Sequence, residues 1–287
     1  MTSELTVTPR DEMVASELSE AHGWDGYAAE LRDLVLTAIE ASGVDTLEVS
    51  ELLVGEPLPD KYSGIRNGLN IAPTPAVELV LRMVAGYGPY CRLVNGAKLH
   101  IQTGWDGAVY LYMAPEASAR LMEWQGDASR LEWASVGPDL SEVSKPVDTV
   151  ADDAFWASVA ASTGGLVLLC ERWAHGSHGC RWFLVTEENI AEIAETVRPR
   201  SLLSAVADPD LGSGPHLVDA DFTAFRSPLL PGELAYLAYP GGIDDPADEL
   251  REGYSLALRD SVPAEWCAVV PDSDGVARGV WEDPRDV

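Results

Sequence analysis

Residues 98–124 read KLHIQTGWDGAVYLYMAPEASARLMEW, and their punctuation decides the class of fold. Two short runs in which apolar and polar residues alternate, 99–103 and 108–113, flank Gly104, Trp105, Asp106 and Gly107. Alternation of this kind marks half-buried strands, and an Asp-Gly pair supplies the positive backbone angle that a tight hairpin turn requires. Pro115 then suits the first turn of a helix, where its missing N–H is not needed. The order is strand, turn, strand, helix. If Thr103 pairs with Ala108, then Leu99, Ile101, Tyr110 and Tyr112 share one face.

The same order recurs at 165–197, GLVLLCERWAHGSHGCRWFLVTEENIAEIAETV, where Trp173 corresponds to Trp105 and Thr186 is the expected N-cap of the closing helix. A third hairpin is expected at 265–281, EWCAVV and VARGVW joined across PDSDG. Upstream, Tyr27, Leu31, Leu34, Val35, Ala38 and Ile39 recur at three- and four-residue steps and lay one stripe along a helix that stops at Gly43. Residues 55–75, with four Pro and three Gly, favour an extended connection, after which Thr74 and Pro75 suit the N-cap and first position of a helix reaching to Gly86. Helices and hairpins without strict βαβ alternation predict an α+β fold. The expectation is antiparallel sheets built from β-hairpins, each followed by a helix, with a twofold internal pseudo-repeat.

Residues 1–12 carry no apolar period and are expected to be a flexible tail. The polar stretch 136–149, closed by Lys145 and Pro146, is the best boundary between an N-terminal half, 13–143, and a C-terminal half, 144–287, unless the two form one continuous domain.

Among 287 residues, 47 Asp and Glu against 19 Lys and Arg give a net charge of −28. Such a field repels phosphate, because duplex binding depends on Lys and Arg displacing condensed counterions. Direct nucleic-acid binding is therefore not expected, whereas a basic protein would be attracted. Lys is confined to positions 61, 98 and 145, a bias that equally fits an acidic surface serving solubility alone. No apolar run reaches the ~20 residues that cross a bilayer, and the first residues lack the basic start and apolar core of a signal peptide, so no membrane association and a cytoplasmic location are expected. Four cysteines, Cys91, Cys170, Cys180 and Cys267, lie in or beside apolar runs without a CxxC pair, which suits reduced, buried thiols.

The chain contains no GxGxxG after a strand, no GxxxxGK[ST], no GxSxG and no HExxH. What runs against its composition is ERWAHGSHGCRW, 171–182, with two Arg, two His and two Trp in an acidic chain. Pairing Cys170 with Cys180 sets Arg172 opposite His178 and leaves an apolar base under a polar tip. Three readings compete for that tip. Cys170, His178 and Cys180 on one face, with His175 folding over, are ligand types that zinc accepts, although the spacing matches no zinc motif. Arg172, His175, His178 and Arg181 form a positive island for a carboxylate or phosphate. In the third, these are ordinary hairpin-tip residues paired with nearby acids. Trp105 and Trp173, one at each hairpin tip, are the tryptophans placed to touch a partner.

Function follows from the same balance. The expectation is a non-enzymatic acidic binding protein, of immunity or inhibitor type, that neutralises or escorts a basic protein and needs no cofactor. The alternatives are a metal-dependent or acid-base enzyme centred on the hairpin from Cys170 to Arg181, and a structural or regulatory subunit.

Overall fold

A computed structural model describes residues 3–18, 21–123, 129–136, 146–212, 221–239, 253–260 and 264–283. Among the described residues it has six α-helices and fifteen strands, and every pair of named strands is antiparallel. The fold is α+β. The chain divides into two compact units, Met1–Leu53 with Asp60–Glu142, and Val54–Pro59 with Val143–Val287. Most of the expected boundary stretch, 137–145, lies outside the described residues. Among the described residues no helix is long and apolar enough to cross a membrane.

The first unit runs β1 (Ser3–Pro9), α1 (Glu12–Glu17), α2 (Ala21–Ser42), β2 (Leu47–Leu53), β3 (Asn70–Ile71), α3 (Pro73–Val84), β4 (Tyr90–Asn95), β5 (Leu99–Thr103), β6 (Val109–Met113), α4 (Pro115–Met122) and β7 (Leu131–Val136). Its strands form one sheet in the order β3-β2-β4-β5-β6-β1-β7. All six stripe residues of α2 are buried, from Tyr27 to Ile39, and Gly43 takes the positive φ of +62° that ends the helix. Helix α3 begins two residues earlier than expected: Ala72 is the N-cap and Pro73 the first residue, because both Pro73 and Pro75 fit a first turn that has no N–H partners to lose.

Two expectations are corrected here. Residues 3–9 are not a flexible tail but strand β1, inserted between β6 and β7 with Leu5 and Val7 fully buried. Its two inward apolar residues are too few to register as a period when read without their sheet partners. In the β5–β6 hairpin, Thr103 pairs with Val109 and not Ala108, so Leu99 faces Met113 and Ile101 faces Leu111. The turn holds five residues, closed by Gly104 N–H to the Ala108 carbonyl at 2.8 Å and Ala108 N–H to the Trp105 carbonyl at 3.0 Å. That one-residue slip moves every side chain of the second strand to the other face. Leu99, Ile101, Val109, Leu111 and Met113 are the buried set, while Tyr110 and Tyr112 lie opposite Gln102 and His100.

The second unit continues with α5 (Asp153–Ala161), β8 (Val167–Arg172), β9 (Cys180–Val185), α6 (Ile190–Thr196), β10 (Leu202–Ala207), β11 (Phe222–Arg226), β12 (Gly232–Leu234), β13 (Tyr236–Tyr239), β14 (Tyr254–Arg259) and β15 (Trp266–Val269). They form a five-stranded sheet, β12-β9-β8-β10-β15, and a three-stranded sheet, β13-β11-β14. One face of the larger sheet, with Val167, Leu169, Phe183, Leu203 and Ala205, packs on Phe155 and Val159 of α5 and Ile193 of α6. Its other face, with Leu168, Cys170, Trp182 and Leu184, packs on Phe225 and Leu258 of the smaller sheet, and Trp182 meets Phe225 edge-on at 5.3 Å. Both faces of β8 and β9 are thus buried, which explains their near-continuous apolar runs.

The third hairpin is not formed. β15 pairs with β10, while Asp272 to Val276 close only a short turn whose Asp272 receives Arg200 at 3.0 Å. Trp281, the last residue of the expected run, is buried, with its indole N–H on the Arg200 carbonyl at 2.9 Å. Thr186 is not an N-cap; its N–H bonds the side chain of Asn189, which precedes α6. The twofold repeat is not confirmed: β5–β6 lies within a seven-stranded sheet beside an N-terminal strand, β8–β9 within a five-stranded sheet of different order.

Leu5→Ala tests the corrected N-terminus. A fully buried leucine in a paired strand should cost about 2–5 kcal/mol on truncation, read as a lowered urea midpoint with unchanged slope. A midpoint that does not move would return residues 3–9 to a tail.

Candidate functional site

The β8–β9 hairpin sets Cys170 opposite Trp182, Glu171 opposite Arg181 and Arg172 opposite Cys180. This register is displaced by two residues from the expected one, so each side chain keeps its expected face while its partner changes. The seven-residue tip is closed by the N–H groups of Trp173 and Ala174, both on the Gly179 carbonyl at 2.8 and 2.9 Å. A Cβ on Gly179 would lie on top of the Ala174 carbonyl, so no other residue fits there. Residue 54 adds to the tip: Val54 N–H bonds the His175 carbonyl at 2.8 Å and His178 N–H bonds the Val54 carbonyl at 3.1 Å.

On the helix-facing side stands Glu171, a fully buried carboxylate. Arg181 Nε reaches it at 2.5 Å, the backbone N–H of Arg198 at 2.6 Å and Ser201 Oγ at 3.2 Å. Arg181 also donates to the Thr196 carbonyl at 2.8 Å. Trp173 lies under the Arg198 guanidinium, 4.0 Å from its ring centroid. Arg181 and Trp173 therefore serve packing and charge compensation inside the unit.

The expected positive island does not assemble, because alternation puts Arg172 and Arg181 on opposite faces. His175 turns its ring to Trp281, with centroids 5.4 Å apart. Nor do the expected zinc ligands converge: among the described residues no group of three or more His, Cys, Asp or Glu is placed to hold a metal ion. His178 Nδ1 is engaged by Gly55 O at 3.2 Å and Ser177 Oγ at 3.1 Å, while Cys170 and Cys180 share one face of the ladder.

What the other face does bring together is Cys170, Arg172 and Cys180, joined by Tyr236 from β13 and by Asp260 just past β14. Tyr236 Oη is 3.3 Å from Cys180 Sγ, 2.6 Å from the Cys180 carbonyl and 2.7 Å from the Ser177 carbonyl. Thr223 Oγ1 donates to Asp260 at 2.5 Å. Arg172, Cys180, Trp182, Asp221, Thr223 and Asp260 line a cavity of ≈ 390 Å³. No described carboxylate lies within ion-pair distance of Arg172.

Titration in the cluster follows from the contact between the thiols, from burial and from the Arg172 charge. The hydrogen bond between the two thiols, with burial, holds Cys170 well above the ordinary thiol range. The same bond, together with the Arg172 charge and the Tyr236 hydroxyl, overcomes burial and brings Cys180 down to about 7. Burial and the two cysteines push the Tyr236 phenol up. Burial raises the Asp260 carboxyl, against the pull of Thr223 and Arg172. Tyr236, Thr223 and Asp260 could not be found by reading the sequence, since they lie in stretches broken by Pro and Gly, dozens of residues from the hairpin.

Trp105 stands in the first unit, 89 % exposed at the β5–β6 tip. The tip is held from within: the buried Tyr27 hydroxyl donates to the Gly107 carbonyl at 2.8 Å. Asp106 and Gly107 take φ of +54° and +83°. Adjacent β1 leads past Pro9 to Asp11, which caps α1 through Val14 N–H at 2.9 Å.

Arg181→Ala should leave Glu171 buried with its charge uncompensated and cost about 3–5 kcal/mol in urea unfolding; a loss under 1 kcal/mol would mean that the pair is not formed. Asp260 gives a pH test of known sign. Its carboxyl rises above the usual value on folding, so the folded state binds the extra proton, and this group's contribution falls as pH rises from the unfolded value, 3.8, through the raised folded one. Asp260→Asn should therefore gain stability relative to the wild type as pH rises through that window, compared in parallel melts; a constant difference across it would refute the assignment.

Set against family models, curated proteins and solved structures, the chain matches none of them.

Proposed function

We propose that the protein is a non-enzymatic acidic binding protein of immunity or inhibitor type, acting in the cytoplasm on a basic protein partner. The observation that carries the reading is Trp105: a large aromatic, 89 % exposed, on a tip whose backbone is anchored by a buried tyrosine, in a chain of net charge −28. An exposed tryptophan on rigid backbone loses little entropy on docking, and tryptophan is among the residues that dominate binding energy at interfaces. Asp106 beside it supplies negative charge next to an apolar anchor. A partner with a basic rim and an apolar pocket complements that arrangement, and long-range attraction speeds its encounter.

The test is retention of protein from the source cells on the immobilised full chain, washed at low salt and then at ~0.5 M, where screening shortens the reach of charge to a few Å. One basic protein held in stoichiometric amount is expected, with affinity falling about 30-fold, or about 2 kcal/mol, on Trp105→Ala. The reading fails if no basic protein is retained at either salt, or if Trp105→Ala leaves its affinity unchanged.

A further inference from the structure

We infer that Cys180 is a nucleophilic thiolate that small hydroperoxides oxidise in the cavity beside Arg172, with Cys170 as its resolving thiol, a reversible redox mark and not a turnover. The inference concerns the second unit and stands apart from the binding role drawn from Trp105.

Arg172 sets the requirement. A guanidinium taken out of water is unfavourable unless a negative charge meets it. Glu171, its chain neighbour, points to the opposite face and is already used by Arg181. The ionisable groups that share Arg172's surroundings are Cys170 from β8, Cys180 from β9, Tyr236 from β13, Asp260 after β14 and Asp221 before β11. Burial raises both the Asp260 carboxyl and the Tyr236 phenol. Cys180 stands directly across the ladder from Arg172, which puts its sulfur in the field of the guanidinium.

The hydrogen bonds allow the change. Tyr236 has one proton and three acceptors around it, the carbonyls of Ser177 and Cys180 and the sulfur of Cys180. With Cys180 protonated, the thiol donates to Tyr236 Oη and the phenol donates to a carbonyl. When the thiol ionises, the phenol proton turns to the sulfur, and the Cys170 S–H adds a second bond to it. A thiolate needs such donors and an electropositive neighbour to persist in partial burial.

Access and substrate follow from the walls. Cys180 and Arg172 both line the ≈ 390 Å³ cavity, which admits a small molecule. Asp221 and Asp260 line it too, and the chain carries −28 overall, so anionic substrates are repelled and a small uncharged oxidant is admitted. The Cys180 thiolate attacks one oxygen of the peroxide; the O–O bond breaks, and the departing alkoxide or hydroxide takes up a proton beside Arg172. Cys180 is left as a sulfenic acid. The Cys170 sulfur then attacks Cys180 Sγ, the S–S bond forms, and hydroxide leaves with the Cys170 proton as water. In sum, two thiols and one hydroperoxide give one disulfide, one alcohol and one water, and an external dithiol restores the thiols. The two cysteines are diagonal neighbours, a relation with Cα atoms ~7–8 Å apart, and a disulfide needs about 4.4–6.8 Å. The strands must slide slightly to close it, so the bond is readily reduced and the mark reversible.

The experiment treats the reduced full chain with hydrogen peroxide and maps the cysteines by mass spectrometry. In the wild type a Cys170–Cys180 disulfide is expected, reversed by dithiothreitol. In Cys170→Ser a sulfenic acid trapped by dimedone at Cys180 is expected instead. Alkylation of wild-type Cys180 by iodoacetamide should reach half its maximal rate near pH 7. Arg172→Gln should move that midpoint up toward the free-thiol value of ~8.5 and slow oxidation about tenfold, while Arg172→Lys restores most of both. The inference is overturned if wild-type Cys180 alkylates with a midpoint of ~8.5 or above, or if peroxide oxidises Cys91 or Cys267 as fast as Cys180. The wild-type profile decides the matter alone if Arg172→Gln does not fold.

Discussion

The second unit depends on one buried charge. Glu171 sits on a central strand with no exposure, and only Arg181, the Arg198 backbone N–H and Ser201 make that position tolerable. Because Glu171 must face Arg181, the register of the hairpin follows. Cys170, Arg172, Cys180 and Trp182 are then turned together toward the smaller sheet. The carboxylate nearest to Arg172 in sequence is thereby spent on the far face.

From that assignment comes the character of the cavity wall. Among the described residues Arg172 has no carboxylate at ion-pair distance, and its neighbours on the same face are thiols. The hydroxyl of Tyr236 and the carboxyl of Asp260 reach the cluster from strands that follow far along the chain. A similar economy operates in the first unit, where one buried hydroxyl, that of Tyr27, fixes the backbone beneath an exposed tryptophan. In both units a polar contact made inside the molecule sets what is offered on its surface or in its cavity.

Reading the residues in order recovered much of the local structure for identifiable reasons. The stripe of α2, the Asp106–Gly107 turn, Pro115 at the start of α4, and the faces of β8 and β9 all rest on spacing and backbone angle, which are local properties. The failures are as specific. The face expected to be shared by Tyr110 and Tyr112 with Leu99 and Ile101 is undone by one residue of turn length, since the side-chain period of a strand is two. Strand β1 was missed because Leu5 and Val7 acquire meaning only between β6 and β7. Trp281 joins no hairpin strand, because Val147 and Arg200 bind it down. The expected island and zinc site failed because proximity in sequence says nothing about which side of a sheet a residue occupies.

By itself, then, the sequence determined the α+β class, the acidic field, the burial of the cysteines and the hairpin that holds the unusual cluster of Arg, His and Cys. Each of these follows from composition or from periodicity within a few residues. Tertiary structure alone decided that Arg172 and Arg181 part company, that Cys170 and Cys180 meet Tyr236 and Asp260, and that β15 pairs with β10 in place of its own downstream run. Those outcomes are set by how distant strands share hydrogen bonds and by which face can neutralise a buried charge, and neither is written in the local order of residues.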